Sequence, residues 1–176
     1  FMEYPDKSKV HIYVCDDTNR LEVAKLADEL GVGYFGLADN KDAKSGNYNN
    51  ALRQTSSPLV ATFDADMIPY REFLLETVPY FVEQVEANGD DYDKSKVGLI
   101  QTPQSFYNAD IFQFNLFSES TLPNEQDFFS KEINVFNNSH GAALYTGSNT
   151  LIFRKAIEDV GGFPTDTITE DFELGV

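Results

Sequence analysis

Four short apolar runs, rich in β-branched and aromatic residues, recur between residues 10 and 101. They are "VHIYVC" (10–15), "YFGLA" (34–38), "PLVATF" (58–63) and "VGLIQ" (97–101). Runs of this length and composition read as buried strands. The segments between them carry helical signals. Val23, Leu26, Ala27 and Leu30 share one helix face, and Gly31 supplies a stop. A short helix is expected around "NNALRQ". Leu74, Val78, Phe81 and Val85 form a further helical stripe, which Pro79 kinks or restarts. Strand alternating with helix predicts a parallel α/β sheet with right-handed crossovers. The remainder reads as a loop-rich stretch (102–124), a helix near 125–137, and short strands at "AALYT" and "TLIF". A small helix from Arg154 to Val160 and a "GGFP" turn follow. No linker interrupts the chain, so residues 1–176 are expected to form one domain with a Rossmann-like front half.

Composition narrows the function. The chain has 29 acidic residues against 13 lysines and arginines, a net charge of −16. Nucleic acid is excluded as a partner, because phosphate contacts need a basic face. The same charge argues against this segment lying on an anionic membrane. The one cysteine, Cys15, excludes a disulfide framework, points to a reducing compartment, and reads as a buried, inert thiol. No apolar run approaches ~18 residues, so no membrane span is expected. No signal peptide is visible. Asn137-Asn138-Ser139 matches the glycosylation pattern, a match that is frequent by chance. Phe1 precedes Met2, and Val176 follows a charged segment without a closing element. The chain is therefore expected to be a piece of a longer protein.

In open α/β sheets, ligands bind outside the carboxyl ends of the strands. Asp16-Asp17 follows the first strand, Asp64-Ala65-Asp66 the third, and Gln101 to Gln104 the fourth. In an extended segment, Asp64 and Asp66 would share one face. Two such carboxylates repel unless a cation lies between them. Mg²⁺ or Mn²⁺ carrying a substrate diphosphate satisfies that need; a solvated turn closed by Pro69 satisfies it equally. Asp16 or Asp17 is either a helix cap or an acceptor for a base or ribose. Lys44 offers a counter-charge for phosphate, and Gly46 a tight turn. Asp171 is either a cap or a general base beside an acceptor hydroxyl. His11 is expected inside the first strand as a structural residue, and His140 beside the site. No serine-histidine-aspartate order, zinc spacing or P-loop is present.

Seven segments occur in an order that resembles family 2 glycosyltransferases of the GT-A fold, and within them the cellulose-synthase-like membrane enzymes. They are "VCDDTNR", "AKSGNYNNAL", "ATFDADMIP", "IQTPQSFYN", "NEQDFF", "ALYTGSNTLIFRKAIEDVGGFP" and "TITEDFELG". Together they run through nearly the whole chain. The "QTPQ-x-FYN" form points to cellulose-synthase-like enzymes rather than to hyaluronan or chitin synthases.

The resemblance implies an α/β GT-A fold, incomplete at both ends, with a nucleotide-binding half (1–101) and an acceptor-binding half (102–176). It implies that Asp16 contacts uridine and that Lys44 lies near the nucleotide. Asp64 and Asp66 match the acids that bind the donor and hold Mg²⁺ or Mn²⁺. Gln101, with Thr102, Pro103 and Gln104, matches a loop lining the donor site. Tyr145, Thr146 and Gly147 stand where the family places Phe-Cys-Gly at the acceptor terminus. Asp171 matches the base of the Thr-Glu-Asp motif. The implied activity is inverting transfer of glucose from UDP-glucose to the non-reducing end of a β-glucan. The implied setting is the cytoplasmic face of the plasma membrane, beside membrane helices of the parent protein. The family's Gln-x-x-Arg-Trp motif is expected after Val176, and its first strand before Phe1. The isolated segment is expected to be weak or inactive. Other readings are a synthase using another nucleotide sugar, and a non-catalytic nucleotide-sugar module. A glycoside hydrolase is disfavoured, because Asp64 and Asp66 are too close in sequence to flank a bond.

Overall fold

The structure, a computed structural model, describes residues 2–39, 41–88, 97–167 and 169–175, with the backbone alone for 83–85, 87 and 88. Val85 of the expected stripe therefore has no described side chain, and Phe1, Ile168 and Val176 lie outside the described residues.

Strand β1 (Tyr13–Asp16) pairs in parallel with β2 (Gly33–Gly36), with Asp16 opposite Gly36. Helix α1 (Leu21–Glu29) makes the crossover between them. It stops at Gly31, which takes φ +68°, a conformation that costs glycine nothing. Helix α2 (Ala43–Gln54) then leads to β3 (Leu59–Thr62). Beyond β3, α3 (Phe73–Thr77) and α4 (Pro79–Asn88) divide at the expected proline, which opens α4 where its missing N–H is not needed.

The expected continuous parallel sheet is corrected here. β3 and β4 (Leu99–Gln101) do not pair; β5 (Thr150–Phe153) lies between them, antiparallel to both. The physical reason is burial on both faces. Every residue of β5 is buried. Leu151 and Phe153 join Phe73, Leu74 and Phe81 of α3 and α4. Ile152 faces the other way, into a cluster with Tyr145, Ile157 and Phe163, against which Tyr48 and Leu52 of α2 pack. A strand with helices over both faces occupies the centre of a sheet.

The rest of the second half is built from short helices: α5 (Ile111–Asn115), α6 (Glu125–Phe128), a π turn (Phe129–Ile133), α7 (Asn134–Ser139), α8 (Arg154–Asp159) and α9 (Glu170–Leu174). The expected strand at "AALYT" is not a strand. Its backbone finds separate partners instead: Ala142 donates to the Asn137 carbonyl, Thr146 to Gln101 Oε1, and Leu144 donates to Asn134 Oδ1 at 2.8 Å and accepts from Asn134 Nδ2 at 3.1 Å. His11 is also corrected: it precedes β1 and is exposed. No helix among the described residues is long and apolar enough to cross a membrane.

Candidate active site

Asp64 lies just beyond β3, where the chain turns: its carbonyl accepts from the Met67 N–H at 3.0 Å. The expected extended geometry, with Asp64 and Asp66 on one face, is therefore replaced by a turn over residues 64–67. Asp64 is half-buried and Asp66 exposed. The Asp64 carboxylate meets Lys44 Nζ at 2.5 Å. Lys44 comes from the first turn of α2, and its ammonium also stands 5.7 Å from the centre of the Tyr48 ring. That turn is made possible by Gly46, because a β-carbon there would run into the Lys41 carbonyl oxygen.

Asp171 approaches from the first turn of α9. Its Oδ1 accepts from the Phe172 N–H at 2.8 Å. Its Oδ2 lies 3.5 Å from the position a β-carbon on Gly147 would occupy, and Lys44 Nζ lies 3.1 Å from the same point. Gly147 itself takes φ +78°. A side chain there would be strained and would enter the space between the lysine and the acid. Lys44, Asp64, Gly147 and Asp171, spread over 128 positions of chain, thus converge at the carboxyl end of β3.

The other expected residues are placed differently. Asp16 is buried, and its carboxylate accepts from Arg20 Nε at 3.0 Å, Arg20 Nη2 at 2.7 Å and Tyr34 OH at 2.9 Å. The Arg20 guanidinium holds the Asp16 carboxyl well below the usual carboxylate range. Among the described residues, no hydrogen bond or ion pair joins Asp16 to Lys44, Asp64 or Asp171. Tyr145 is buried. Its hydroxyl shares a 3.2 Å hydrogen bond with Thr62 Oγ1, and burial pushes its phenol up. Thr146 gives its N–H to Gln101 Oε1 at 2.9 Å. The Gln101 amide is fully engaged within the protein: Oε1 also accepts from Thr150 Oγ1 at 2.7 Å, and Nε2 donates to the carbonyls of Ser148 and Thr102. Cys15 is partly buried, and that burial pushes its thiol up. Among the described residues, His140 bonds near its own helix end, to Phe136 O and Ser139 Oγ, each at 3.0 Å.

Ser148, Arg20, Tyr34 and Tyr48 were not singled out from the sequence. Arg20, four residues after Asp16, carried a readable signal; the other three are joined to their partners only by folding.

The donor set suits a hard divalent cation. Asp64 and Asp66 offer carboxylate oxygens within one turn, and Asp66 has no ion-pair partner among the described residues. Asp64 already holds one cation, the Lys44 ammonium. Among the described residues, no cluster of three or more histidine, cysteine or acidic side chains could hold a metal unaided. A cation here would draw its remaining ligands from substrate oxygens and water, as Mg²⁺ commonly does.

Comparison with known proteins identifies the family and the fold. The model of "Glycosyl transferase family 2" matches residues 3–161. The cellulose synthase 1 catalytic subunit (UDP-forming) of Komagataeibacter xylinus is 38% identical over 167 residues, which is 95% of this chain and 21% of that protein. The corresponding subunit of Pseudomonas fluorescens is 32% identical over 170 residues, 97% of this chain and 22% of that protein. The chain thus spans about a fifth of the length of these relatives. Among solved structures, a mannosyltransferase from Pyrobaculum calidifontis in complex with GDP-Man and Mn²⁺ superposes with a TM-score of 0.61 at 19% identity, over 98% of this chain and 43% of that one. The superposition establishes the α/β GT-A fold. With the family model spanning most of its length, the chain belongs to glycosyltransferase family 2.

Proposed function

We propose that this chain is part of the catalytic domain of a processive, inverting β-glucan synthase. Glucose passes from UDP-glucose to the non-reducing end of the growing glucan. The observation that carries the reading is the convergence of Lys44, Asp64 and Asp171 around Gly147. In this reading Lys44 is the cation facing the diphosphate, Asp64 the metal-binding acid and Asp171 the base. The identity to cellulose synthase catalytic subunits supports the choice of donor and acceptor.

In this reading Asp171 takes the proton of the attacking acceptor hydroxyl. Its Oδ2 is suited to that, because Oδ1 is held by the helix backbone. Attack from the face opposite the leaving group inverts the anomeric centre. Lys44 shifts its charge from Asp64 to the diphosphate as donor binds. Asp64 and Asp66 would hold Mg²⁺ or Mn²⁺, which would supply positive charge against the departing UDP. Asp16 serves the uridine side of the donor through Arg20 and Tyr34, which its buried carboxylate holds in place. Gln101 lies on the donor side, and Tyr145, Thr146 and Gly147 form the acceptor side. Residues 1–101 serve the nucleotide and 102–176 the acceptor. The parent protein places the domain on the cytoplasmic face of the plasma membrane, against its own membrane helices.

Asp171→Asn in the full-length enzyme tests the assignment. Loss of a general base should lower transfer at least ~10²-fold while UDP binding persists. Transfer at near-normal rate would show that Asp171 is not the base. Calorimetry of UDP with and without Mn²⁺ tests the metal: binding that ignores Mn²⁺ favours a nucleotide-sugar module without catalysis.

A further inference from the structure

At the rim of the sheet, the last residues of β3 and β4 and the first residue of β5 form a polar row. Thr62 of β3 is opposite Thr150 of β5, and Thr150 is opposite Gln101 of β4. Thr62 and Thr150 are almost completely buried, as is Ser148. Polar groups at such positions cost stability unless each finds a partner. Here the partners lie in the site. Gln101 holds the 146–150 segment by three contacts: to the Thr146 N–H, the Ser148 carbonyl at 2.9 Å, and Thr150 Oγ1. Ser148 Oγ in turn accepts the Asp64 N–H at 2.9 Å and donates to Asn149 Oδ1 at 3.3 Å. Between the residues held by Gln101 lies Gly147, the point on which Lys44 and Asp171 converge.

We propose that Gln101 and Ser148 are positioning residues. Gln101 holds the 146–150 segment, Ser148 holds Asp64, and together they set the Asp64 carboxylate on Lys44, the lysine that stands with Asp171 beside Gly147. Neither touches the reacting groups in this role. The consequence for donor binding rests on the function proposed above, whereas the relay itself is a property of the fold. The row explains why the rim is not apolar. Valine or leucine in place of Gln101 would fill similar space, leave the Thr146 N–H without its acceptor, and leave the Ser148 carbonyl with Thr150 Oγ1 alone.

The Asp64 backbone amide is the reporter, read by NMR on the ¹⁵N-labelled chain. Ser148→Ala removes its acceptor; its resonance should move and its hydrogen exchange should quicken at least ~10-fold. Ser148→Thr, which keeps the hydroxyl, should restore both. Gln101→Glu keeps an acceptor oxygen but loses both donated bonds. It should disturb the same Asp64 amide although it makes no contact with Asp64. An Asp64 amide unchanged in either Ser148→Ala or Gln101→Glu, in an otherwise native spectrum, overturns the relay. UDP binding with Mn²⁺ is read on the full-length enzyme carrying the same substitutions, and both variants should bind about tenfold more weakly. Unchanged affinity for substitutions that move the Asp64 amide also overturns the positioning role. If the unaltered full-length enzyme binds no UDP, the function proposed above fails, and the relay is decided by the amide alone.

Discussion

The molecule contains two sheets whose strands look alike in sequence and behave differently. In the pair β1–β2, Tyr13 is 41% exposed and only Asp16 of β1 is buried. In the trio β3–β5–β4, all of β5 is buried. Each sheet ends in an acid. The acid of the open sheet, Asp16, is sealed by Arg20 and Tyr34. The acid beyond the closed sheet, Asp64, stays half-exposed and paired with a lysine from another element. The closed sheet provides a rigid base on which a charged group can be held yet remain reachable. The open sheet neutralises its acid within its own neighbourhood.

The contrast can be broken by mutation, and the largest effect belongs to β5. Leu151→Ala removes a side chain packed between Phe73, Leu74, Phe81 and Phe153, and should destabilise the fold by about 2–5 kcal/mol in urea unfolding. Next in size is the acid pH dependence. The Asp16 carboxyl is depressed in the folded state, chiefly by its hydrogen bonds to Arg20. Its contribution is therefore present above its unfolded value of about 3.9 and is lost as pH falls through the lower folded value. Between about pH 4 and pH 2, Asp16→Asn should lose less stability than the unaltered chain. Parallel losses would show that the Arg20 pair does not couple to folding. Smallest is Tyr13→Ala. Tyr13 stacks on Phe35 at 4.8 Å between ring centres, but its partial exposure limits the cost to about 1 kcal/mol. A loss as large as that of Leu151→Ala would mean that the two sheets are one cooperative core with no difference between them.

Much of this was legible in the amino-acid order. The β1–α1–β2 unit, the restart at Pro79, the turn at Gly31 and the run "TLIF" are local events, decided by side-chain period, a missing N–H and a permissive φ. The order of seven short segments was enough for the family. The place of β5 was not legible, because an apolar run states that it will be buried but not which strands will flank it. The failure of "AALYT" as a strand was also hidden. Its Leu144 backbone groups are satisfied by Asn134, ten residues earlier, and its Thr146 N–H by Gln101, forty-five residues earlier.

The site divides the same way. Lys44, Asp64, Gly147 and Asp171 could each be picked out by residue type and setting, yet each also had an ordinary reading as a cap or turn. Only the tertiary structure brought Lys44 onto Asp64 and set both Lys44 and Asp171 beside Gly147. It also locked Asp16 and engaged every polar atom of the Gln101 amide, which no spacing rule could reveal. The reason is physical. Period, capping and turn chemistry act over a few residues. Ion pairing and buried hydrogen bonding act over a few ångströms, between groups whose proximity exists only after the sheet has closed.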